Sequence, residues 1–389
     1  MLRDNPEFVL IDEQKEAFEG ALLAARQSSA IAPRVVIIEG GPGTGKTVLA
    51  INLLVRLTNP GKNTQYVSKN AAPREVYRAR LVGTVRRTRF DSLFSGSGRF
   101  FNAAPDSFDA LIVDEAHRFN AQSGLYENLG ENQIKELIRA TSFSVFLIDE
   151  DQRVSLSDIG SKEQIRRFAA EKGAVVEEYT LSSQFRCNGS DGYLAWVDQV
   201  LEIHPTANFS MAGLQYDFRV FETPHELHRE IIEKNGNNRA RVVAGYCWPW
   251  RSKRDLASMD IEIGTYRRQW NLVADASLWI MTPGSIDQVG CIHTCQGLEL
   301  DYVGVLIGPD LIVRDGRVVT KPAARDRNDR TMRGYKGLLQ RDPVTTRNRL
   351  DLIIKNTYRT LMTRGMRGCF VWSADAETRE YLRSCAGRA

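Results

Sequence analysis

Short apolar, β-branched runs alternate along this chain with longer stretches whose apolar positions recur at helical spacing. RVVIIEG, TQYVS, DALIVD and FSVFLID read as buried strands, and strands are expected near 34–39, 64–68, 109–114, 143–149 and 175–179. Helical periodicity falls between them, as at 12–27, 45–58 and 131–140. Runs without in/out alternation are buried on both faces, so the pattern predicts a parallel, doubly wound α/β sheet with ligands at the carboxyl ends of its strands. The pattern then restarts. It predicts helix 190–202, strand 217–221, helix 223–235, strands 240–245, 287–293 and 301–307, helix 350–363 and strand 368–373. Two domains are expected, 1–185 and 186–389. Residues 310–349 have weak periodicity and read as a long basic insertion or partly mobile loop.

Composition narrows the class. The 389 residues are 42% hydrophobic and 26% charged, as in soluble globular proteins. No apolar run approaches the roughly 20 residues of a membrane span. MLRDNPEFVLIDEQKEAF lacks the basic and apolar regions of a signal peptide, so the default compartment is the cytoplasm. Six scattered cysteines form no disulfide framework. Cys291, His293 and Cys295 would alternate onto one face of the 287–293 strand with no second ligand pair, and read as strand residues rather than metal ligands. The net charge of +4 hides segregation. Residues 71–100 carry seven arginines against two acids, and 310–368 carry fifteen Lys or Arg against six Asp. Such clusters suit a polyanion, or are simply solvated faces.

The chemistry starts at GGPGTGKT, residues 40–47, between the 34–39 strand and the following helix. That context makes it a phosphate-binding loop. Gly41, Gly43, Thr44 and Gly45 would turn backbone N–H groups onto a pyrophosphate at a helix N-terminus. Lys46 would reach the β- and γ-phosphates, and Thr47 would ligate Mg²⁺. ATP and Mg²⁺ are therefore the expected cofactors. LIVDEAHRF (111–119) ends a strand in two carboxylates: Asp114 would hold Mg²⁺ and Glu115 would polarise the attacking water. VFLIDEDQRV (145–154) brings Gln152 beside the γ-phosphate. Arg186 and Arg364 could each offer a guanidinium to charge developing on the phosphoryl group. Thr294, Gln296 and Glu299 would lie on a polar turn facing the cleft between domains.

These motifs, in this order, resemble the core of superfamily 1 helicases, and more narrowly the schlafen-type DNA/RNA helicase domain family, found mostly as bacterial proteins. The resemblance runs from Val9 to about Ala374. Its most specific stretches are LIDEQ (10–14), GGPGTGKT, AGYCWPW (244–250), GCIHTCQGLELDYVGVLIGPD (290–310) and NTYRTLMTRGMRG (356–368). It implies two tandem RecA-like P-loop domains with the ATP site in the cleft between them. It implies that Gln14 reads the adenine edge, and that Arg186 and Arg364 are the arginines of the fourth and sixth motifs. It implies that Gln296 and Glu299 link nucleotide to the second domain. YVSKN (66–70) matches the strand end that touches the nucleic-acid backbone, through Lys69 and Asn70. The third motif here reads IDEDQ rather than starting Gly-Asp, which favours Gln152 over Asp149 or Asp151. Only about forty residues separate YVSKN from the DEAH strand, too few for large inserted subdomains.

Strand-gripping motors pair basic grooves with aromatics. Arg86, Arg87 and Arg89 with Phe90, together with Thr294, are candidates for the strand path. Trp248 and Trp250 suit either packing or base stacking; Trp270 and Trp279 suit the core. His225 and His228 read as surface residues of one helix. Residues 314–349 are a second basic surface, for a strand or a partner. The leading expectation is an ATP-driven helicase or translocase on single-stranded DNA or RNA. The alternative is a nucleotide-gated switch controlling a nuclease or other effector. A P-loop kinase would need no second α/β domain. Because the adenine motif starts at residue 10, the chain reads as a stand-alone motor or as a piece of a larger protein.

Overall fold

The computed structural model describes residues 10, 12–58, 62–69, 91–124, 128–183, 191–236, 238–272, 279–280, 282, 284–295 and 300–387. The chain divides into two compact units, Met1–Arg153 with Ser157–Gln184, and Val154–Leu156 with Phe185–Ala389.

In the first unit, strands β1 (Arg34–Gly40), β2 (Thr64–Ser68), β3 (Phe94–Ser95), β4 (Ala110–Asp114), β5 (Phe143–Ile148) and β6 (Val175–Leu181) form a six-stranded sheet. The order is β3-β2-β4-β5-β1-β6, and every pairing is parallel. Alternation along the strands divides the core. Val36, Ile38, Ile112 and Leu147 pack under α1 (Asp12–Gln27) and α2 (Lys46–Thr58). Val35, Ile37, Val113 and Phe146 pack under α3 (Gln133–Ala140) and α4 (Lys162–Glu171). Helices on both faces explain why these strands read as continuous apolar runs. The Asn132 side chain caps α3 by accepting from Ile134 N and Lys135 N, and Ser161 caps α4 through Gln164 N. Each such cap is worth about 1 kcal/mol. Parallel pairing sends the carboxyl ends of β1, β4 and β5 to one edge, where the phosphate loop begins.

The second unit holds α5 (Asp191–Val200), β7 (Asp217–Val220), α6 (Pro224–Glu233), β8 (Ala240–Ala244), β9 (Ile261–Ile263) and β10 (Tyr266–Arg268). They are followed by β11 (Val289–Gly290), α7 (Ile292–Cys295), β12 (Leu300–Ile307), β13 (Leu311–Arg314) and β14 (Arg317–Thr320). The chain closes with α8 (Tyr335–Arg341), α9 (Pro343–Met362), β15 (Gly365–Ser373) and α10 (Ala376–Cys385). The sheet order is β11-β8-β12-β15-β7, again all parallel, while β9/β10 and β13/β14 are antiparallel hairpins. Trp279 sits in the core with α5 and α9, and Trp270 in the core on the other face with α6.

Three expectations are corrected here. The strand expected at 287–293 is only Val289–Gly290. Thr294 Oγ1 accepts from Cys291 N at 2.8 Å and starts a helical turn, so Cys291 is not part of a strand. Residues 310–349, read as a long basic insertion or partly mobile loop, form a hairpin, two short 3-10 turns, α8 and the first turns of α9. Pro343 at the first position and Asp342, accepting from Thr345 N, start α9 well before residue 350. His228 is buried, not on the surface. Its Nε2 donates to Ile286 O at 2.8 Å, which leaves Nδ1 to accept from Tyr266 OH at 2.7 Å. Burial lowers its pKa below the usual histidine value. His225 is exposed as expected.

Candidate nucleotide-binding site

β1 delivers Gly40 to the sheet edge, and α2 starts at Lys46. Gly43 and Gly45 take φ of 84° and 81°, the left-handed region that L side chains rarely adopt. At Gly45 space is short as well: a Cβ would lie 2.2 Å from Gln14 Nε2. Gln14 projects from the first turn of α1, is buried, and donates from Nε2 to Thr44 O at 2.9 Å. The residue expected at the adenine edge is thus fastened to the phosphate loop. Thr44 Oγ1 donates to Gly41 O at 3.0 Å. Lys46 Nζ donates to Gly40 O and to Gly41 O, and lies 3.9 Å from Asp149 Oδ2.

The carboxylates come from β4. Asp114 Oδ2 accepts from Thr47 Oγ1 at 3.0 Å and from Tyr66 OH at 2.6 Å, and Oδ1 accepts from Glu115 N at 2.9 Å. Burial, then the neighbouring Glu115 charge, raises the Asp114 pKa against the pull of Tyr66, Thr47 and Lys46. A hydroxyl and a carboxylate 3.0 Å apart form an all-oxygen donor set, which fits Mg²⁺. Glu115 follows with φ 56° and ψ 41°. A left-handed non-glycine costs on the order of 1–2 kcal/mol, and such residues recur at functional sites.

Beside it lies a contact that sequence reasoning missed. His117 is fully buried, and its Nε2 is 3.0 Å from Glu115 Oε2. Asp149 N donates to His117 Nδ1 at 3.2 Å. A backbone N–H can only donate, so Nδ1 is the accepting nitrogen of this ring and Nε2 is the one beside the Glu115 carboxylate. Asp149 directly follows β5, and its Oδ2 also accepts from Gln152 Nε2 at 2.6 Å. Gln152, favoured from the sequence, is thus held by Asp149. Asp149 was set aside from the sequence, yet it stands nearest the loop lysine.

Lys69 Nζ donates to Asn120 Oδ1 at 2.6 Å and to Asp158 Oδ1 at 3.1 Å; Asp158 also pairs with Arg118. Arg364 is buried between α9 and β15, with Nε donating to Thr360 O at 3.1 Å. Thr294 is buried, and its hydroxyl is engaged by the Cys291 backbone. Trp248 is half-buried against the second unit's core. Asn70, Arg86, Arg87, Arg89, Phe90, Arg186, Gln296 and Glu299 lie outside the described residues.

The profile of Schlafen group 3, DNA/RNA helicase domain, matches residues 33–375. The chain belongs to this family. Membership places it among nucleotide-dependent helicase-type ATPases. The uncharacterized protein YPL245W of Saccharomyces cerevisiae is 25% identical over 90% of this chain and 84% of its own length, so a relative of this family member occurs in a fungus. Among solved structures, the Pif1 helicase from Candida albicans overlays 98% of this chain and 100% of its own at 10% identity and a TM-score of 0.41. The replication initiator DnaA, bound to AMPPCP and single-stranded DNA, overlays 51% of this chain and 56% of its own at 15% identity and a TM-score of 0.27. At identities and scores this low, membership rests on the family match. Among the described residues no helix is long and apolar enough to cross a membrane.

Proposed function

We infer that the protein is an ATP-hydrolysing motor of superfamily 1 type that acts on single-stranded DNA or RNA. The observation that carries this reading is the junction at the loop: Thr47 bonded to Asp114, with Glu115 beside it backed by His117. The loop N–H groups and Lys46 bind the β- and γ-phosphates, and Gln14, fastened to the loop at Thr44, is proposed to read the adenine edge. Thr47 and Asp114 would hold Mg²⁺, which when bound neutralises phosphate charge. Glu115 takes a proton from water as the water oxygen bonds to the γ-phosphorus. The bond from that phosphorus to the β,γ-bridging oxygen breaks, and the electron pair leaves with ADP. Gln152, held by Asp149, is proposed to sense the presence of the γ-phosphate. Arg186 and Arg364 are proposed to neutralise the charge that develops on it. Lys69 and Asn70, with Arg86, Arg87, Arg89 and Phe90, are proposed as strand contacts of the first unit.

Glu115→Gln tests the assignment. Nucleotide binding should persist, while turnover falls by roughly two orders of magnitude or more. Parallel loss of binding and turnover would instead make Glu115 a structural residue.

A further inference from the structure

The second unit has a crevice of its own. From β8 the chain proceeds to β11 on one side of the sheet, and from β12 to β15 on the other. Connections leaving adjacent parallel strands in opposite directions open a gap at their carboxyl ends, where ligands of α/β sheets gather. A cavity of about 940 Å³ lies among the segments that follow these two strands. Trp250, Arg251, Lys253 and Arg254, from the chain after β8, line one part; Arg327 and Arg330, from the chain after β12, line another. None of the phosphate-loop residues contributes.

The charge of this cavity is not neutralised locally. Arg251 pairs with Glu262 at 2.6 Å. Lys253, Arg254, Arg327 and Arg330 have no ion pair among the described residues. Its two acids are turned to their own loops: Asp255 accepts from Ala257 N and Ser258 Oγ, and Asp326 from Asn328 N. The Lys253 ammonium sits 4.8 Å from the Trp250 ring centroid. Trp250 packs edge-on to Trp270, and its indole Nε1 is buried with no acceptor among the described residues. A buried donor left over in this way calls for a partner.

The basic wall is held rigidly from behind. The buried Arg325 guanidinium bonds Asp310 Oδ2 at 2.8 Å, Asp329 Oδ2 at 3.1 Å and Thr357 Oγ1 at 3.0 Å. Burial opposes its charge, but the two carboxylates outweigh that and keep it protonated. Tyr358 OH donates to Asp310 Oδ1 at 2.5 Å, and Asp326 N donates to Tyr246 O at 2.8 Å. Arg325 and Asp329 are thus pinned inside the unit, while Arg327 and Arg330 between and beside them point out. Two exposed guanidiniums on a fixed loop line the same cavity as a tryptophan on another, a combination that suits phosphates and a flat base.

We propose that this cavity is a second binding site, taking a nucleotide unit of single-stranded nucleic acid with its base on Trp250 and its phosphates on Arg254, Arg327 and Arg330. The inference rests on the strand-motor reading for its class of ligand. It adds a place for the strand that the basic segment at 86–89 does not supply. Stacking on an aromatic is tolerant of base identity, so the site grips without reading sequence.

The test is fluorescence anisotropy of labelled deoxythymidine and uridine 12-mers over a range of salt, with the full chain. The double charge reversal Arg254→Glu, Arg330→Glu alters exposed side chains only, and an unchanged thermal midpoint confirms folding. It should weaken binding tenfold or more and reduce the slope of log K on log salt by about 1.4, roughly 0.7 per phosphate contact. Trp250→Ala should weaken binding roughly tenfold with the salt slope kept; Trp250→Phe should restore most of it. Unchanged affinity and slope in the charge reversal, with wild type binding normally, would overturn the cavity while leaving the motor reading intact. Wild type that hydrolyses ATP but binds neither 12-mer would overturn both. Displacement of the strand by free ATP in a Lys46→Ala protein would assign the cavity to mononucleotides and likewise overturn the proposal.

Discussion

A carboxylate that positions water must be aimed, and Glu115 is set by a left-handed backbone, with His117 Nε2 3.0 Å from its Oε2. Loss of either should cost turnover rather than binding. His117→Ala is expected to lower kcat by about tenfold or more, with nucleotide affinity changed by less than about threefold. His117→Gln, whose amide can donate toward Glu115, should recover part of it. Equal losses in kcat and nucleotide affinity would show that His117 only supports the fold. Lys46→Ala is different in kind, because the β- and γ-phosphates lose their main cation. Turnover should vanish in a phosphate-release assay, and substantial residual turnover would remove the loop from the mechanism. The contrast shows what the sequence could reveal. The loop, Thr47 and the Asp114–Glu115 pair were legible because their chemistry lies in consecutive residues. Tyr66, His117 and Asp149 were not, because Tyr66 meets Asp114, His117 meets the Asp149 backbone and Asp149 meets Lys46 only across elements far apart in the sequence. No local pattern states which strands end side by side.

Among the elements, strands buried on both faces announced themselves: RVVIIEG, ALIVD and FSVFLI lie where their apolar runs place them. Elements with mixed environments did not. The 310–349 segment is broken by Gly, Pro and Asp and is rich in arginine, yet its buried Arg325 cluster organises it. Arginine reads as surface in a sequence, and nothing nearby marks Arg325 as the buried one. Its role is testable through stability. Arg325→Met leaves Asp310 and Asp329 buried without their cation, and should destabilise the protein by about 3–5 kcal/mol in denaturant unfolding. A loss below about 1 kcal/mol would mean that the network does not hold the loop. His228, in α6, offers a pH test of the same kind. Burial lowers its folded-state pKa below the unfolded value, so the unfolded chain binds a proton that the folded one refuses. Its contribution is complete above about pH 6.5 and is lost as pH falls below that. Thermal unfolding between pH 7 and 5 should therefore show a shallower loss of stability in His228→Gln than in wild type; parallel curves would contradict the burial account.

At the scale of the molecule, the decisive question is whether ATP turnover answers to a nucleic-acid strand. Two parallel-sheet units, a complete phosphate loop and membership of a DNA/RNA helicase family all suit a motor. The same parts would serve a nucleotide-gated switch that governs an effector. A motor differs in that strand binding and hydrolysis are coupled, each altering the free energy of the other. The most direct measurement is the steady-state rate of phosphate release by the full chain, titrated with single-stranded DNA, single-stranded RNA and duplex DNA, with Lys46→Ala run in parallel. The account predicts that at least one single strand raises turnover tenfold or more, that duplex DNA does so less, and that Lys46→Ala shows no turnover with any of them. Turnover that depends on Lys46 but is the same with and without every nucleic acid would contradict it, and would make the protein a switch rather than a motor.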